Sequence, residues 1–317
     1  MRHTVNDPDP ATAAQLEGLA EVLSACREAF LRIRDDYHWT PAAGSAAGHD
    51  IAEYERLGIP DSHIVMETVC SGLQHAANKC GGLRGLIHSH EVFGTVEEPA
   101  RATLEACSYA VWTIGDNPLM YDAKGRLART YILNRLSTVK AKEDAKRLGG
   151  KGSDAYVEAD RKFRALRAEI EKAFPSTTGR DLDHPITING EVGIGLTEVV
   201  KWFLAQIVRF GGENMTPDIA EGVYGFLSNS THPTLYAIRQ RMSYIPHAGH
   251  LVSEQKVTIR HLVDLTKFAV GAIYNALSWM HLYAGWNFDD NEEFATVIRR
   301  TLPGFFHDPE AEVASNV

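Results

Sequence analysis

The sequence predicts a single all-α domain, folded as a large helical bundle from which a long helical hairpin protrudes. Apolar residues recur at three- and four-residue spacings through most of the 317-residue chain, which is the spacing that places them on one face of a helix. Two segments between 119 and 174 are long, charged and amphipathic. We therefore expect one all-α domain over residues 1–317, with 119–174 as a charged helical hairpin within it.

The first part of the chain contains three predicted helices. Residues 11–37 carry a continuous apolar stripe, and a loop rich in Gly, Ala and Pro follows them. The second helix covers residues 61–80, with Asp61 or Ser62 as its N-cap. The glycines after this helix are expected to break or kink it. Residues 96–115 form the third helix, whose first turn carries two glutamates that favour a helix N-terminus.

The middle of the chain contains the predicted hairpin and the one segment that is strand-like. Within 119–174, the sequence GGKGSD separates two helical segments. The segment PITINGEVGIG follows, and its Asn189-Gly190 pair is typical of a tight turn between two strands. We therefore expect a helical hairpin and then a short β-turn.

The last part of the chain returns to helix. Residues 196–210 are amphipathic, and the next helix begins with Thr216 as N-cap and Pro217 at its first position. Residues 254–284 predict a long apolar helix. The acidic sequence DDNEE opens a final short helix, since carboxylates are favourable at helix N-termini.

Composition and charge indicate where in the cell the protein is located and which classes of partner it binds. The chain has 41 acidic and 32 basic residues and a net charge of -9, which does not favour nucleic acid as a partner. The N-terminus is polar, and no run of 18 apolar residues occurs, so we expect neither a signal peptide nor a membrane span. The four cysteines form no CxxC pair, which is typical of a reducing, cytoplasmic environment. Long helical hairpins readily form dimers, so a homo-oligomer stays open.

Two polar groups lie on segments that are otherwise apolar. Arg101 and Glu105 are four residues apart, so they share one face of the helix at 96–115. The segment from Tyr224 to His232 ends in a run of small polar residues before Pro233. Such residues are either a polar junction between helices or part of a site, because buried charges need partners.

These two groups resemble the motifs of poorly characterised bacterial all-helical proteins. In those proteins an R-x-x-x-E helix is followed much later by Y-x-x-L-S-x-x-x-H-P. The resemblance covers residues 95–240, and it implies an all-α fold in which the motifs meet inside the bundle. It carries no established activity. The matching residues are Arg101, Glu105, Tyr224, Leu227, Ser228, His232 and Pro233.

A third group could bind a metal. His88, His90 and Glu91 are close in sequence, and His and carboxylate ligands suit Zn, Fe or Mn. His247, His250 and Glu254 could complete such a mononuclear site. No Glu-x-x-His motif occurs, which argues against the di-iron carboxylate bundles. The histidines are therefore either ligands of a divalent metal or a chance cluster in a chain with 14 histidines.

Three functions remain open at this point. The favoured one is an enzyme that acts on a small, largely apolar molecule in a bundle pocket, by acid–base chemistry with or without a divalent metal. Its candidate catalytic residues are Arg101, Glu105, Tyr224, Ser228 and His232, with Glu105 or His232 as acid or base and Arg101 binding an anion or holding Glu105 ionised. The second is a helical ribonuclease of the toxin type, with Arg32 and His38 or Arg241 and His247. The third is a non-enzymatic interaction module that binds its partner through 119–174.

Overall fold

The computed structural model describes residues 9–306 except 93, 121, 184, 212–215, 232–234, 236–237, 240–241, 248–249 and 256. These residues form ten helices and two small β-hairpins. The helices are α1 (Pro10–Tyr37), α2 (Ala46–Leu57), α3 (Ile64–His88), α4 (Glu97–Ile114), α5 (Ala123–Gly149), α6 (Asp154–Ala173), α7 (Leu196–Gly211), α8 (Pro217–Thr231), α9 (Ile259–Ala284) and α10 (Asp290–Thr301). The strands are β1 (Thr187–Ile188), β2 (Glu191–Val192), β3 (Met242–His247) and β4 (His250–Gln255). The predicted all-α fold class is confirmed.

Helix α4 lies at the centre of the bundle. Twelve of its 18 residues are buried, because α3, α9, α7 and α8 all pack against it. Helix α1 packs against α3 and α9 and also contacts α10. Within the described part of the chain, no helix combines the length and the apolar character needed to span a bilayer.

The predicted hairpin is formed by α5 and α6, which pack against each other. All the buried residues of α5 lie between Ala123 and Arg135. Near the tip of the hairpin, Leu148 is 90% exposed and Val157 is 58% exposed. The first half of α5 therefore belongs to the bundle, and its second half protrudes with α6. The predicted tight turn follows between β1 and β2, where Asn189 and Gly190 have φ angles of 51° and 82°.

Helix α3 does not end at its glycines, so the predicted break was wrong. The helix continues through Gly81 and Gly82 to His88. Cys80, Leu83 and Ile87 are fully buried on its inner face. Packing of this face outweighs the ~1 kcal/mol that each glycine costs in a helix. The N-cap of α3 is His63 and not the predicted Asp61 or Ser62. The Asp61 side chain accepts a hydrogen bond from the backbone N–H of His63 at 3.0 Å.

Two other segments differ from the prediction. Part of the expected loop after α1 forms α2, where the Ser45 hydroxyl accepts a hydrogen bond from the Gly48 N–H at 3.1 Å. The helix predicted from residue 254 begins at Ile259, because 250–255 pairs as β4 with β3. Strand β3 contains Pro246, a residue type that sequence patterns assign to loops.

A buried ion pair joins α2, α5 and α9. Arg126 and Asp50 are both fully buried, and the Arg126 Nη1 donates to both Asp50 carboxylate oxygens at 3.1 and 3.2 Å. The other guanidinium nitrogens donate to backbone carbonyls, Nε to Ile114 at 2.8 Å and Nη2 to Met120. Tyr283 of α9 donates to Asp50 at 2.8 Å. This network fixes the start of the hairpin to the bundle.

Candidate functional site

A row of charged side chains follows one face of α4. Glu97, Arg101 and Glu105 are spaced by four residues, so they are neighbours on the helix surface. Helix α8 and the first turn of α9 supply the residues that contact this row. We call this surface the α4 polar face. It contains the predicted Arg101–Glu105 pair and extends one turn further toward the N-terminus.

Arg101 is the centre of a network that joins α4 to α8. Its Nε donates to Glu105 Oε1 at 2.6 Å, and its Nη2 donates to the Tyr224 hydroxyl at 3.2 Å. Its Nη1 donates to the Thr231 hydroxyl. Tyr224 in turn donates to Glu105 Oε1 at 2.9 Å. Residues of the two predicted motifs, Arg101 and Glu105 on α4 and Tyr224 on α8, therefore contact each other at a part-buried position.

The surroundings change the proton affinity of two members of this network. Burial raises the pKa of Tyr224, and its hydrogen bond to Glu105 raises that pKa further. Burial lowers the pKa of Arg101, but the hydrogen bond and charge of Glu105 outweigh this effect, so its pKa is raised. Tyr224 thus stays a neutral donor and Arg101 stays a cation over the whole physiological range.

The polar end of α8 explains part of the unusual sequence after Tyr224. Thr231 donates from its hydroxyl to the Ser228 carbonyl at 2.9 Å and accepts the hydrogen bond from Arg101. Ser228 therefore contributes its backbone to the network. The predicted residues His232 and Pro233 lie outside the described residues.

A second pair on the same face joins α4 to α9. His261 Nε2 lies 2.7 Å from Glu97 Oε1. The Glu97 side chain is 2% exposed, and the His261 side chain is 22% exposed. The backbone N–H of His261 donates to the Thr258 hydroxyl at 3.2 Å, which fixes the residue in the first turn of α9. A buried carboxylate thus holds an imidazole that reaches the surface.

An apolar side chain borders the His261 ring. Phe226 of α8 makes an edge-on contact with it, with ring centroids 5.6 Å apart. Phe226 is 42% exposed, and Ile219, which lies two turns earlier on the same helix, is 49% exposed. The imidazole is therefore accessible beside an apolar surface.

Among the described residues, the predicted ligands His88, His90 and Glu91 are not gathered into a metal site. His88 is the last residue of α3 and is exposed, His90 follows with a φ of 60°, and Glu91 is exposed. Among the described residues, no group of three or more His, Cys, Asp or Glu side chains is arranged to hold a metal ion. The side chains of His247 and Glu254 lie outside the described residues.

The residues of the predicted ribonuclease site are engaged differently. Arg32 forms an ion pair with Glu293 of α10. His38 caps the C-terminus of α1 with a left-handed backbone, φ 47°. Arg241 and the side chain of His247 lie outside the described residues. No arginine–histidine pair of that kind is therefore seen in the part of the chain that is described.

Comparison of the chain with protein-family models, with curated proteins and with solved structures finds no match in any of the three. The resemblance drawn from the Arg101 and Tyr224 motifs stays a prediction. Sequence reasoning missed Glu97 and His261 as a pair. The spacing of Glu97 from Arg101 was a usable signal, because it places both on one helical face, whereas His261 has no local signal.

Proposed function

We propose that this protein is an enzyme that performs acid–base chemistry on a small, largely apolar molecule at the α4 polar face. The observation that carries the proposal is the Glu97–His261 pair, in which a buried carboxylate holds an accessible imidazole at 2.7 Å. Histidine is the most frequent general acid or base in enzymes, and a carboxylate partner fixes its tautomer and orientation. Phe226 and Ile219 supply the apolar surface for the substrate.

Each residue of the face has a distinct role in this proposal. With Nε2 hydrogen-bonded to Glu97, the Nδ1 atom of His261 is the one that accepts or returns the substrate proton. Glu97 orients the ring. Arg101 donates to Glu105, Tyr224 and Thr231, so its role in this proposal is to position α8. Glu105 and Tyr224 hold Arg101 in this position, so they contribute to catalysis only through Arg101.

The test compares turnover by the wild type and by three single variants. A metabolite extract is incubated with each protein, and untargeted mass spectrometry records which compounds are consumed. We expect the wild type to convert at least one compound, and His261→Gln to lose that conversion by about 100-fold or more, the usual contribution of a general acid or base. Glu97→Gln should lower the rate less, because the imidazole remains. His75→Gln, at an exposed position on α3, is the matched control and should retain full activity.

Circular dichroism and thermal unfolding of each variant separate catalysis from folding. A wild type that converts no compound contradicts the proposal. So does a His261→Gln variant that is folded and as active as the His75→Gln control. If His261→Gln and Glu97→Gln both unfold the protein, the pair joins α4 to α9 and has no catalytic role.

A further inference from the structure

A cavity lies in the protruding hairpin, away from the α4 polar face. It has a volume of about 560 Å³ and is lined by residues of α5 and α6, by Lys151 of the loop between them, and by Leu182, Asp183 and Ile186. None of its lining residues belongs to α4, α8 or α9. Small-molecule sites typically have volumes of about 300–1,000 Å³. We call it the hairpin cavity.

Arg135 of α5 lines this cavity with an unsatisfied guanidinium. The residue is 4% exposed. Its Nε and Nη1 atoms are buried and have no hydrogen-bond partner among the described residues. No carboxylate of the described residues forms an ion pair with it. Burying a cation without a partner is unfavourable, so this arrangement, in which the described residues supply none, favours an anion at this position.

Stacking on an aromatic ring does not replace the missing partner. The Arg135 guanidinium lies over the ring of Phe163, 3.7 Å from the ring centroid. This contact uses the face of the guanidinium, whereas its N–H donors lie in its plane. Burial and the charge of Arg167 lower the pKa of Arg135 more than Asp183 raises it. The cation is thus held in place by Phe163, while its Nε and Nη1 atoms have no acceptor among the described residues.

The charges around the cavity also favour an anion. Its lining contains four cations, Arg135, Lys142, Lys146 and Lys151, and two carboxylates, Glu143 and Asp183, a net charge of +2. The whole chain has a net charge of -9. Lys142 also forms an ion pair with Asp160, which lies outside the lining, at 2.6 Å, so the net charge is +1 when Asp160 is counted. A local positive field in an acidic protein attracts anions to this position.

The remaining walls of the cavity are apolar. Leu136 and Val139 of α5 face it from one side, and Leu182 and Ile186 face it from the segment that follows α6. A bare inorganic ion would leave this apolar surface in contact with water. The lining therefore suits a ligand with an anionic group and an apolar body.

We propose that the hairpin cavity binds a small organic anion. Its carboxylate or phosphate oxygens accept hydrogen bonds from Arg135, and its apolar part packs against the leucine, valine and isoleucine side chains of the walls. Both groups present several acceptor oxygens to a guanidinium, which makes arginine a frequent partner of each. This proposal is independent of the function proposed for the α4 polar face.

Isothermal titration calorimetry on the full chain tests the proposal with three probes. Octanoate and hexyl phosphate carry the two anionic groups on an apolar chain, and inorganic phosphate carries no apolar part. We expect one octanoate or one hexyl phosphate per chain, and weaker binding of inorganic phosphate. Preference between the first two identifies the anionic group.

The variants assign the binding to Arg135. Arg135→Met should weaken the binding of the preferred probe by about 10- to 100-fold, as expected for hydrogen bonds to a charged group. Arg135→Lys keeps the charge without the planar donors and should lose part of the affinity. Arg161→Met is the matched control, because Arg161 is exposed on α6 and lies outside the cavity. It should bind as the wild type does.

Two results would overturn the proposal. One is that neither octanoate nor hexyl phosphate binds to the wild type. The other is that Arg135→Met, folded by circular dichroism, binds the preferred probe as tightly as Arg161→Met. In the second case the anion is bound by the exposed lysines of the lining and not by Arg135.

Discussion

Two arginines on the same helix, Arg126 and Arg135, are both buried, and their environments are opposite. Arg126 is 0% exposed and gives all three of its nitrogens to acceptors, one carboxylate and several carbonyls. Arg135 is 4% exposed and leaves Nε and Nη1 without an acceptor among the described residues. The two residues are nine positions apart on α5. Burial alone therefore does not tell what a charged residue does.

The difference lies in what surrounds each guanidinium. Arg126 lies where α4 ends, so the free carbonyl of Ile114 at that helix end accepts its Nε–H. Arg135 lies further along α5 at the hairpin cavity, where the described residues offer no acceptor to its Nε and Nη1 atoms. A satisfied buried cation stabilises one arrangement of helices, whereas an unsatisfied one is retained at a cost in stability. The second case is the one that indicates a ligand.

The largest effect is expected at Arg126. Replacing it by methionine leaves Asp50 buried without its cation, which costs about 3–5 kcal/mol when one partner of a buried pair is lost. We expect Arg126→Met to lower the free energy of unfolding in urea by that amount. Arg161→Met, at an exposed position, should change it by less than about 0.5 kcal/mol. A change at Arg126 as small as that at Arg161 would show that the ion pair does not hold the hairpin to the bundle.

A smaller, pH-dependent effect is expected at Asp50. Burial raises the pKa of Asp50 more than Arg126 and Tyr283 lower it. Above the ordinary carboxyl pKa the unfolded chain has lost this proton while the folded chain keeps it. The contribution of Asp50 to stability is therefore complete below the ordinary carboxyl pKa and is lost as pH rises through the raised pKa of the folded state.

Comparison with Asp50→Asn isolates this contribution, since asparagine does not titrate. The unfolding free energies of wild type and Asp50→Asn are measured in urea at intervals from pH 4 to pH 7. The value of the wild type minus that of the variant should decrease as pH rises. If this difference increases with pH instead, the pKa of Asp50 is lowered in the folded state. The charge of Arg126 would then affect that pKa more than burial does.

Most of the fold could be predicted from sequence, because helices leave a periodic pattern. The apolar stripe of α1, the two glutamates in the first turn of α4 and the GGKGSD break between α5 and α6 were sufficient to place those elements. The errors arose where tertiary contacts outweigh local preference. Gly81 and Gly82 remain helical because their neighbours are buried, and residues 250–255 pair with a strand that contains Pro246.

The candidate site was only half predictable for a related reason. Arg101 and Glu105 lie on one helical turn, so their spacing alone showed that they share a face. The contact of Tyr224 with them was predicted from a resemblance between motifs. Glu97 and His261 are separated by 164 residues, and only the packing of the first turns of α4 and α9 brings them together. Arg135 was missed because a lone arginine in a charged segment is ordinarily exposed.

The smallest stability effect, and the one that decides the comparison, is expected at Arg135. Arg135→Met removes a buried cation that has no acceptor among the described residues and leaves an apolar side chain on Phe163. The free energy of unfolding in urea without added anion should therefore stay unchanged or rise by about 1 kcal/mol, opposite in sign to Arg126→Met. Saturating octanoate or hexyl phosphate should then stabilise the wild type and not the variant. A loss of stability comparable to that of Arg126→Met would show that Arg135 serves the fold, and the contrast between the two arginines would disappear.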